Sequence, residues 1–198
     1  MAATRPHVVV HVAVSLDGAT TGFEPDVGRF YAIAGTWRED VTLAGADTIL
    51  AQEKALADAP LPGPAADGPL LAVVDGRGRV RQWEALRDCG HWSGVLALHA
   101  AATPPETSAQ PVRKLVTGVE RVDLAAALAA LEEREGARVV RVDSGAALIG
   151  SVPGARRRRS RLARLRTASG LPTRASRRQD VRRRPCMAEV SRRYIAIW

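Results

Sequence analysis

Residues 8–18, VVVHVAVSLDG, decide the fold class of this chain. The first part, residues 8–14, is an apolar run rich in valine, which is typical of a strand buried on both faces of a mainly parallel sheet. Ser15, Asp17 and Gly18 then end the run with turn-forming residues. The stretch therefore predicts a buried strand that stops at a polar turn.

Two later stretches repeat this pattern of an apolar run that breaks at glycine and small polar residues. They are TLAGADTIL at residues 42–50 and ARVVRVDSGAALIG at residues 137–150. Strand ends of this kind form the ligand crevice of an open α/β sheet. Glycine there lets a phosphate approach the backbone closely, and the N–H groups of the following helix can hold it. The ordered set predicts a site for a phosphate-bearing ligand.

The segments between these stretches alternate between strand and helix patterns. Further strands are expected at residues 41–43, 70–75, 94–99, 112–116 and 138–142, and helices at residues 26–40, 47–56 and 123–135. Asp26 is expected to cap the first helix, and Leu124, Leu128 and Leu131 are expected to face the core from the last. Alternation of this kind predicts a layered α/β domain.

Charge divides the chain into two parts. Residues 1–151 contain 14 Lys and Arg against 19 Asp and Glu, whereas residues 152–198 contain 15 Arg, no Lys and 2 acidic residues. We expect a folded domain over residues 1–151 and a tail over residues 152–198 that is disordered or frameshifted. Like charges in the tail repel one another, and arginine mixed with Ala, Ser, Gly and Pro is what a GC-rich gene yields in the wrong reading frame.

The number of cysteines and the length of the apolar run indicate the cellular compartment. Cys89 and Cys186 allow at most one disulfide and have no partners at metal-ligand spacing, so no metal site is expected. The apolar run at residues 8–16 is too short to span a bilayer and has no small-residue cleavage site. We expect a cytoplasmic protein without membrane association.

Taken in order and at this spacing, the three motifs resemble the reductase domain of the bacterial riboflavin-biosynthesis deaminase-reductase, which belongs to the dihydrofolate-reductase-like superfamily. The resemblance covers about residues 6–150 and includes the strand LLAVVDGRGRV at residues 70–80. It implies an α/β fold with a mixed, mainly parallel sheet flanked by helices, whose C-terminal part is missing or replaced here. It also implies a homodimer. Of the two-domain deaminase-reductase, it implies only the reductase half here, without the zinc-dependent deaminase domain.

The same resemblance implies an NADPH-dependent oxidoreductase. The family reduces the ribosyl group of 5-amino-6-(5-phosphoribosylamino)uracil to the ribityl form in riboflavin biosynthesis. The nicotinamide supplies the hydride, so the protein has to orient it against the acceptor carbon and exclude water. No residue is a strong candidate for a general acid, which leaves solvent or the phosphate of the substrate to deliver the proton.

Site residues follow from the motifs and from matching positions to the family. The resemblance places Asp143 near the substrate as the orienting carboxylate, and Asp17 shapes the turn on which the substrate rests. Thr48 matches a dinucleotide contact, and residues 145–151 match the glycine-rich loop around the pyrophosphate. The candidate cofactor-binding residues are Ala13, Gly45, Thr48, Arg77, Gly145, Ala146, Ala147 and Leu148.

Three positions and one loop depart from the family pattern. Ala19 follows the SLDG turn where a basic residue is common, and Gly76 and Ala146 replace a serine and a glycine. The loop AQEKALADAPLPG at residues 51–63 lacks the arginine that suits the substrate phosphate. These departures bear on the identity of the substrate more than on the cofactor.

Several candidates also have a purely structural interpretation. Asp17 is an ordinary turn residue, Thr48 is a possible helix cap and His11 is a possible core histidine. Arg77 and Arg79 in their glycine-rich turn can clamp the adenosine 2′-phosphate or belong to a solvated loop.

The arginine-rich tail gives an alternative function. Fifteen arginines within residues 152–198 can neutralise phosphates and bind nucleic acid without sequence preference. In that interpretation the domain is a decayed or non-catalytic reductase that carries a basic tail.

Overall fold

The computed structural model describes residues 5–13, 26–105 and 112–153. Within these ranges six strands form one sheet: His7–Val10 (β1), Val41–Gly45 (β2), Leu70–Val74 (β3), Gly94–His99 (β4), Arg113–Val116 (β5) and Val139–Val142 (β6). Six α-helices accompany them: Val27–Ala34 (α1), Ala46–Leu50 (α2), Glu53–Ala57 (α3), Trp83–Asp88 (α4), Leu124–Glu135 (α5) and Ala146–Ser151 (α6).

The strands of the sheet follow the order β1-β6-β2-β3-β4-β5, and each neighbouring pair is parallel. The last strand in the described sequence, β6, lies between β1 and β2, with Val140 opposite both Val8 and Val41. All six carboxyl ends therefore meet at one edge. The prediction of an α/β domain with a mainly parallel sheet flanked by helices is confirmed, and every described strand pair is parallel.

Successive strand side chains contribute to two apolar clusters, one on each face of the sheet. Along β3, Leu70 and Ala72 belong to the cluster that packs against α5, while Leu71 and Val73 belong to the cluster with α2, α3 and α4. These runs are continuously apolar because helices cover both faces. The result is a three-layer arrangement with the sheet in the middle.

Helix α5 has the ends that its sequence predicts. The carboxylate of Asp123 accepts hydrogen bonds from the backbone N–H groups of Ala125 and Ala126, at 2.9 and 3.1 Å. Gly136 ends the helix with a φ of 68°, a left-handed conformation that glycine adopts without strain. The predicted inward leucines Leu124, Leu128 and Leu131 are all buried.

Other elements differ in extent from the prediction. The expected strand at 8–14 is shorter, and the expected helix at 26–40 ends at Ala34, followed by a 3₁₀ turn, Gly35–Trp37. Asp26 caps this helix as predicted. Two short helices, α2 and α3, take the place of the expected helix at 47–56. Between them the backbone N–H of Gln52 donates to the carbonyl oxygen of Ile49, which forms a turn. Helix α4 was not predicted, since its six residues are too short to show a period.

Some predictions concern residues that the structure does not describe. The SLDG turn with Asp17 and the tail from residue 154 onward lie outside the described ranges, as does Cys186. Among the described residues, no helix is long and apolar enough to cross a membrane. The same ranges hold no group of three or more His, Cys, Asp or Glu residues placed to bind a metal ion.

Candidate functional site

A cleft of about 800 Å³ opens at the carboxyl ends of β2, β3 and β6. Its walls are the start of α2, the turn after β3, the segment before α5 and the start of α6. Because β2 and β6 are neighbours, the motifs at residues 42–50 and 137–150 lie side by side there. The candidate cofactor residues that line the cleft are Gly45, Thr48, Arg77, Gly145, Ala147 and Leu148.

Ser144 joins the two motifs at the floor of this cleft. Its buried hydroxyl oxygen accepts a hydrogen bond from the backbone N–H of Gly45 at 3.1 Å and lies 3.1 Å from the hydroxyl of Thr48. A Cβ on Gly45 would come within 2.8 Å of that hydroxyl oxygen. The close approach of the Ser144 hydroxyl to the backbone of residue 45 therefore requires glycine at that position. Ser144 was not a candidate from the sequence, although it lies between two residues that were.

A buried carboxylate, that of Asp75, holds the backbone of the turn after β3 through hydrogen bonds. Asp75 accepts hydrogen bonds from the backbone N–H groups of Arg79 and Val80 at 2.9 and 2.8 Å, and its carbonyl accepts one from Gly78. The hydroxyl of Thr103 donates to the Gly76 carbonyl at 3.0 Å. The backbone of the turn is therefore held in place where its two arginines reach the cleft.

The two arginines of this turn have different surroundings. Arg79 forms an ion pair with Asp47 on α2, with 2.6 Å between Nη2 and Oδ1. Arg77 is exposed in the cleft wall. The cleft thus contains cationic groups at its β3 side, as the phosphate-clamp interpretation of these residues requires.

Asp143 is not a lining residue of the cleft and belongs to a second polar cluster. Its carboxylate accepts a hydrogen bond from Arg141 at 2.9 Å, and the Nε of Arg141 donates to Glu39 at 2.6 Å. The Arg141 side chain is only 8% exposed. Burial alone would lower the pKa of Arg141, but the carboxylates of Asp143 and Glu39 outweigh it and raise that pKa. We call Glu39, Arg141 and Asp143 the Arg141 cluster.

His11 is the first residue after β1, the strand that pairs with β6. Its Nε2 lies 3.2 Å from the carbonyl oxygen of Phe30 on α1, and the two rings are 4.4 Å apart between centroids. The ring is half-buried rather than part of the core, which corrects the core interpretation. Burial lowers the pKa of His11, and the charges of the Arg141 cluster act on it as well.

One further candidate, Ala13, falls outside the cleft lining. Ala13 is half-buried three residues beyond β1 and is not one of the cleft-lining residues. Ala146 is the first residue of α6, and its chain neighbours Gly145 and Ala147 line the cleft. The structure therefore groups the candidates from β2, β3 and β6 and separates them from Ala13 and Asp143.

Comparisons with known proteins find a matching protein family and solved structures of similar fold. The model of a protein family described as RibD C-terminal domain matches residues 6–155. No curated protein sequence matches the chain.

Two solved structures share the fold. A riboflavin biosynthesis reductase, Rib7, from Saccharomyces cerevisiae is 21% identical with a TM-score of 0.55, over 73% of this chain and 65% of the other. RibD from Acinetobacter baumannii is 18% identical with a TM-score of 0.50, over 75% of this chain and 44% of the other. The chain thus spans less than two thirds of either structure.

Proposed function

The chain belongs to the RibD C-terminal domain family, and from that premise we propose that it is an NADPH-dependent reductase of 5-amino-6-(5-phosphoribosylamino)uracil. The observation that carries the proposal is the cleft at the carboxyl ends of β2, β3 and β6, where both glycine-containing motifs meet. Crevices at this edge of a parallel sheet are the usual ligand sites of α/β proteins.

The residues of the cleft fit a phosphorylated dinucleotide. Gly45, Ser144 and Gly145 make a floor of small residues, which lets a pyrophosphate approach the backbone. Thr48 offers a hydroxyl there, and Arg77 and Arg79 offer guanidinium groups suited to a 2′-phosphate. When bound, the nicotinamide supplies the hydride.

The Arg141 cluster suits the orientation of a small polar substrate. Arg141 binds one oxygen of Asp143 and holds the carboxylate in place. Asp143 can then accept a charge-assisted hydrogen bond from an N–H or hydroxyl group of the substrate. In this proposal solvent or the phosphate of the substrate supplies the proton.

The test is NADPH oxidation in the presence of phosphoribosylaminouracil, dihydrofolate or simple carbonyl compounds. We expect oxidation with the aminouracil. Asp143→Asn should lower the turnover by about 30- to 1,000-fold, because a charge-assisted hydrogen bond to the transition state is worth roughly 2–4 kcal/mol. NADPH affinity should change little, because Asp143 does not line the cleft.

The matched control for this test is Asp58→Asn, an exposed carboxylate beyond α3. It should leave turnover unchanged. NADPH binding without turnover of any of these compounds would contradict the proposed substrate, and the absence of NADPH binding would contradict the proposed cofactor.

A further inference from the structure

One ion pair in the cleft is not explained by the fold. Asp47 and Arg79 belong to different elements, α2 and the turn after β3, and both line the cleft. Their side chains meet at 2.6 Å although they are 87% and 40% exposed, respectively. An exposed pair of this kind contributes little to folding, typically less than about 1 kcal/mol. Its position in the cleft points to ligand binding.

Arg79 reaches Asp47 from a fixed backbone. The Asp75 carboxylate holds the backbone N–H of Arg79 at 2.9 Å. Only the side chain of Arg79 can then move between partners. The carboxylate of Asp47 is free to swing toward solvent because it is almost fully exposed.

A phosphate and a carboxylate bind arginine through the same groups. Both accept hydrogen bonds from the edge of the guanidinium. Asp47 already engages Nη2 of Arg79, so a phosphate that binds the guanidinium through Nη2 competes with the carboxylate. The negative charge of Asp47 also repels the incoming anion.

We infer that Asp47 is a specificity-determining residue of the cleft, which competes with a phosphate monoester for the guanidinium of Arg79. The identity of that phosphate as the 2′-phosphate of NADPH rests on the proposed function. In this arrangement Asp47 weakens the preference for NADPH over NADH that Arg79 creates. Its removal strengthens binding of ligands that carry the extra phosphate.

Isothermal titration calorimetry with two small ligands tests the inference. Adenosine 2′,5′-bisphosphate and adenosine 5′-monophosphate differ only in the 2′-phosphate. Asp47→Asn should tighten binding of the bisphosphate by about 2- to 5-fold, the range expected when an exposed ion pair worth up to about 1 kcal/mol no longer has to be broken. Binding of the monophosphate should change by less than about twofold.

Two control variants separate competition from a general charge effect. Asp58→Asn removes the same charge at an exposed position that does not line the cleft and should leave both affinities unchanged. In an Arg79→Gln background, Asp47→Asn should no longer tighten the bisphosphate. Equal tightening of both ligands, or tightening that persists without Arg79, would overturn the inference.

Inorganic pyrophosphate distinguishes this inference from the proposed function. If neither adenosine ligand binds but Asp47→Asn tightens pyrophosphate through Arg79, the competition stands and the dinucleotide proposal fails. If pyrophosphate binds neither the wild type nor Asp47→Asn, the cleft holds no anion at Arg79 and the inference is wrong.

Discussion

Ser144 illustrates how one hydroxyl group sets the geometry of the cleft. It links β6 to the backbone of Gly45 and to the side chain of Thr48, which are 99 and 96 residues away in sequence. The hydroxyl occupies space that any side chain at residue 45 would need. These two residues should therefore be energetically coupled.

A double-mutant cycle at these positions tests the coupling. Gly45→Ala should destabilise the protein by about 1–3 kcal/mol, because its Cβ meets the Ser144 oxygen in a closely packed region. Ser144→Ala should cost about 1–2 kcal/mol through lost hydrogen bonds. In the double variant the steric conflict is absent, so its loss should be smaller than the sum of the two. Additive losses in urea unfolding would contradict the coupling.

His11 gives a prediction about pH. Burial lowers the pKa of His11 in the folded protein, while the unfolded chain has the ordinary value of about 6.5. Just below that pH the unfolded state binds more protons, so the free energy of unfolding falls as the pH falls. His91 acts in the same direction, since burial lowers its pKa too.

Urea unfolding at pH 7.5 and pH 5.5 measures this dependence. His11→Gln should reduce the difference in stability between the two pH values relative to the wild type, and His91→Gln should reduce it independently. A pH difference in His11→Gln as large as in the wild type would show that burial of this ring does not affect its titration.

At this scale the sequence predicted motif residues but not their partners. Gly45 ends β2, and Thr48 and Gly145 follow strand ends. Turn chemistry marks such positions without knowledge of the fold. The bond from Ser144 to Gly45 and the Arg141–Glu39 ion pair join residues about 100 positions apart. They depend on β6 lying beside β2, which no local pattern reveals. The roles assigned to the candidate residues remain predictions.

At the scale of elements, the turn after β3 depends on Asp75. Both oxygens of this buried carboxylate accept backbone N–H bonds. Asp75→Asn keeps the size of the side chain but replaces one acceptor with a donor, which leaves one N–H group unpaired. We expect a loss of about 1–3 kcal/mol in stability.

Asp75→Asn should also weaken phosphate binding, because the turn positions Arg77 and Arg79. Asp67→Asn, at an exposed position before β3, is the matched control. Calorimetry with pyrophosphate measures the effect. Unchanged affinity in a destabilised Asp75→Asn variant would show that the turn does not need this carboxylate to present its arginines.

The elements whose bounds were predicted correctly have a continuous apolar pattern in the sequence. Strand β4 has the predicted bounds, because buried parallel strands are uninterrupted apolar runs between polar turns. The short helices α3 and α4 bury few residues each, such as Leu56 and Leu86. One or two apolar positions do not establish a helical period, so their bounds could not be predicted.

At the scale of the whole molecule, the resemblance inferred from three motifs is confirmed by the family match over residues 6–155. The fold class was predictable because apolar runs that end in turn residues alternate with helical segments along the chain. The tail could not be judged in the same way. Its residues from 154 onward lie outside the described ranges.

Thermal melting separates the reductase from the nucleic-acid alternative. NADPH should raise the melting temperature of the full chain and of a chain ending at residue 151, because a ligand that binds the folded state stabilises it. Binding of duplex DNA to the tail should fall steeply with salt and disappear in the shorter chain. Stabilisation by DNA but not by NADPH in the full chain would favour the nucleic-acid function.

The position of β6 also governs when the protein can fold. The β1 and β2 strands are made early, but their common neighbour contains residues 139–142. On the ribosome, both strands have to wait for almost the whole domain before the centre of the sheet can close. Folding that depends on such distant contacts is slow and leaves apolar edges open to other chains. Yield during synthesis should therefore depend more on chaperones and temperature than on the stability of the finished domain.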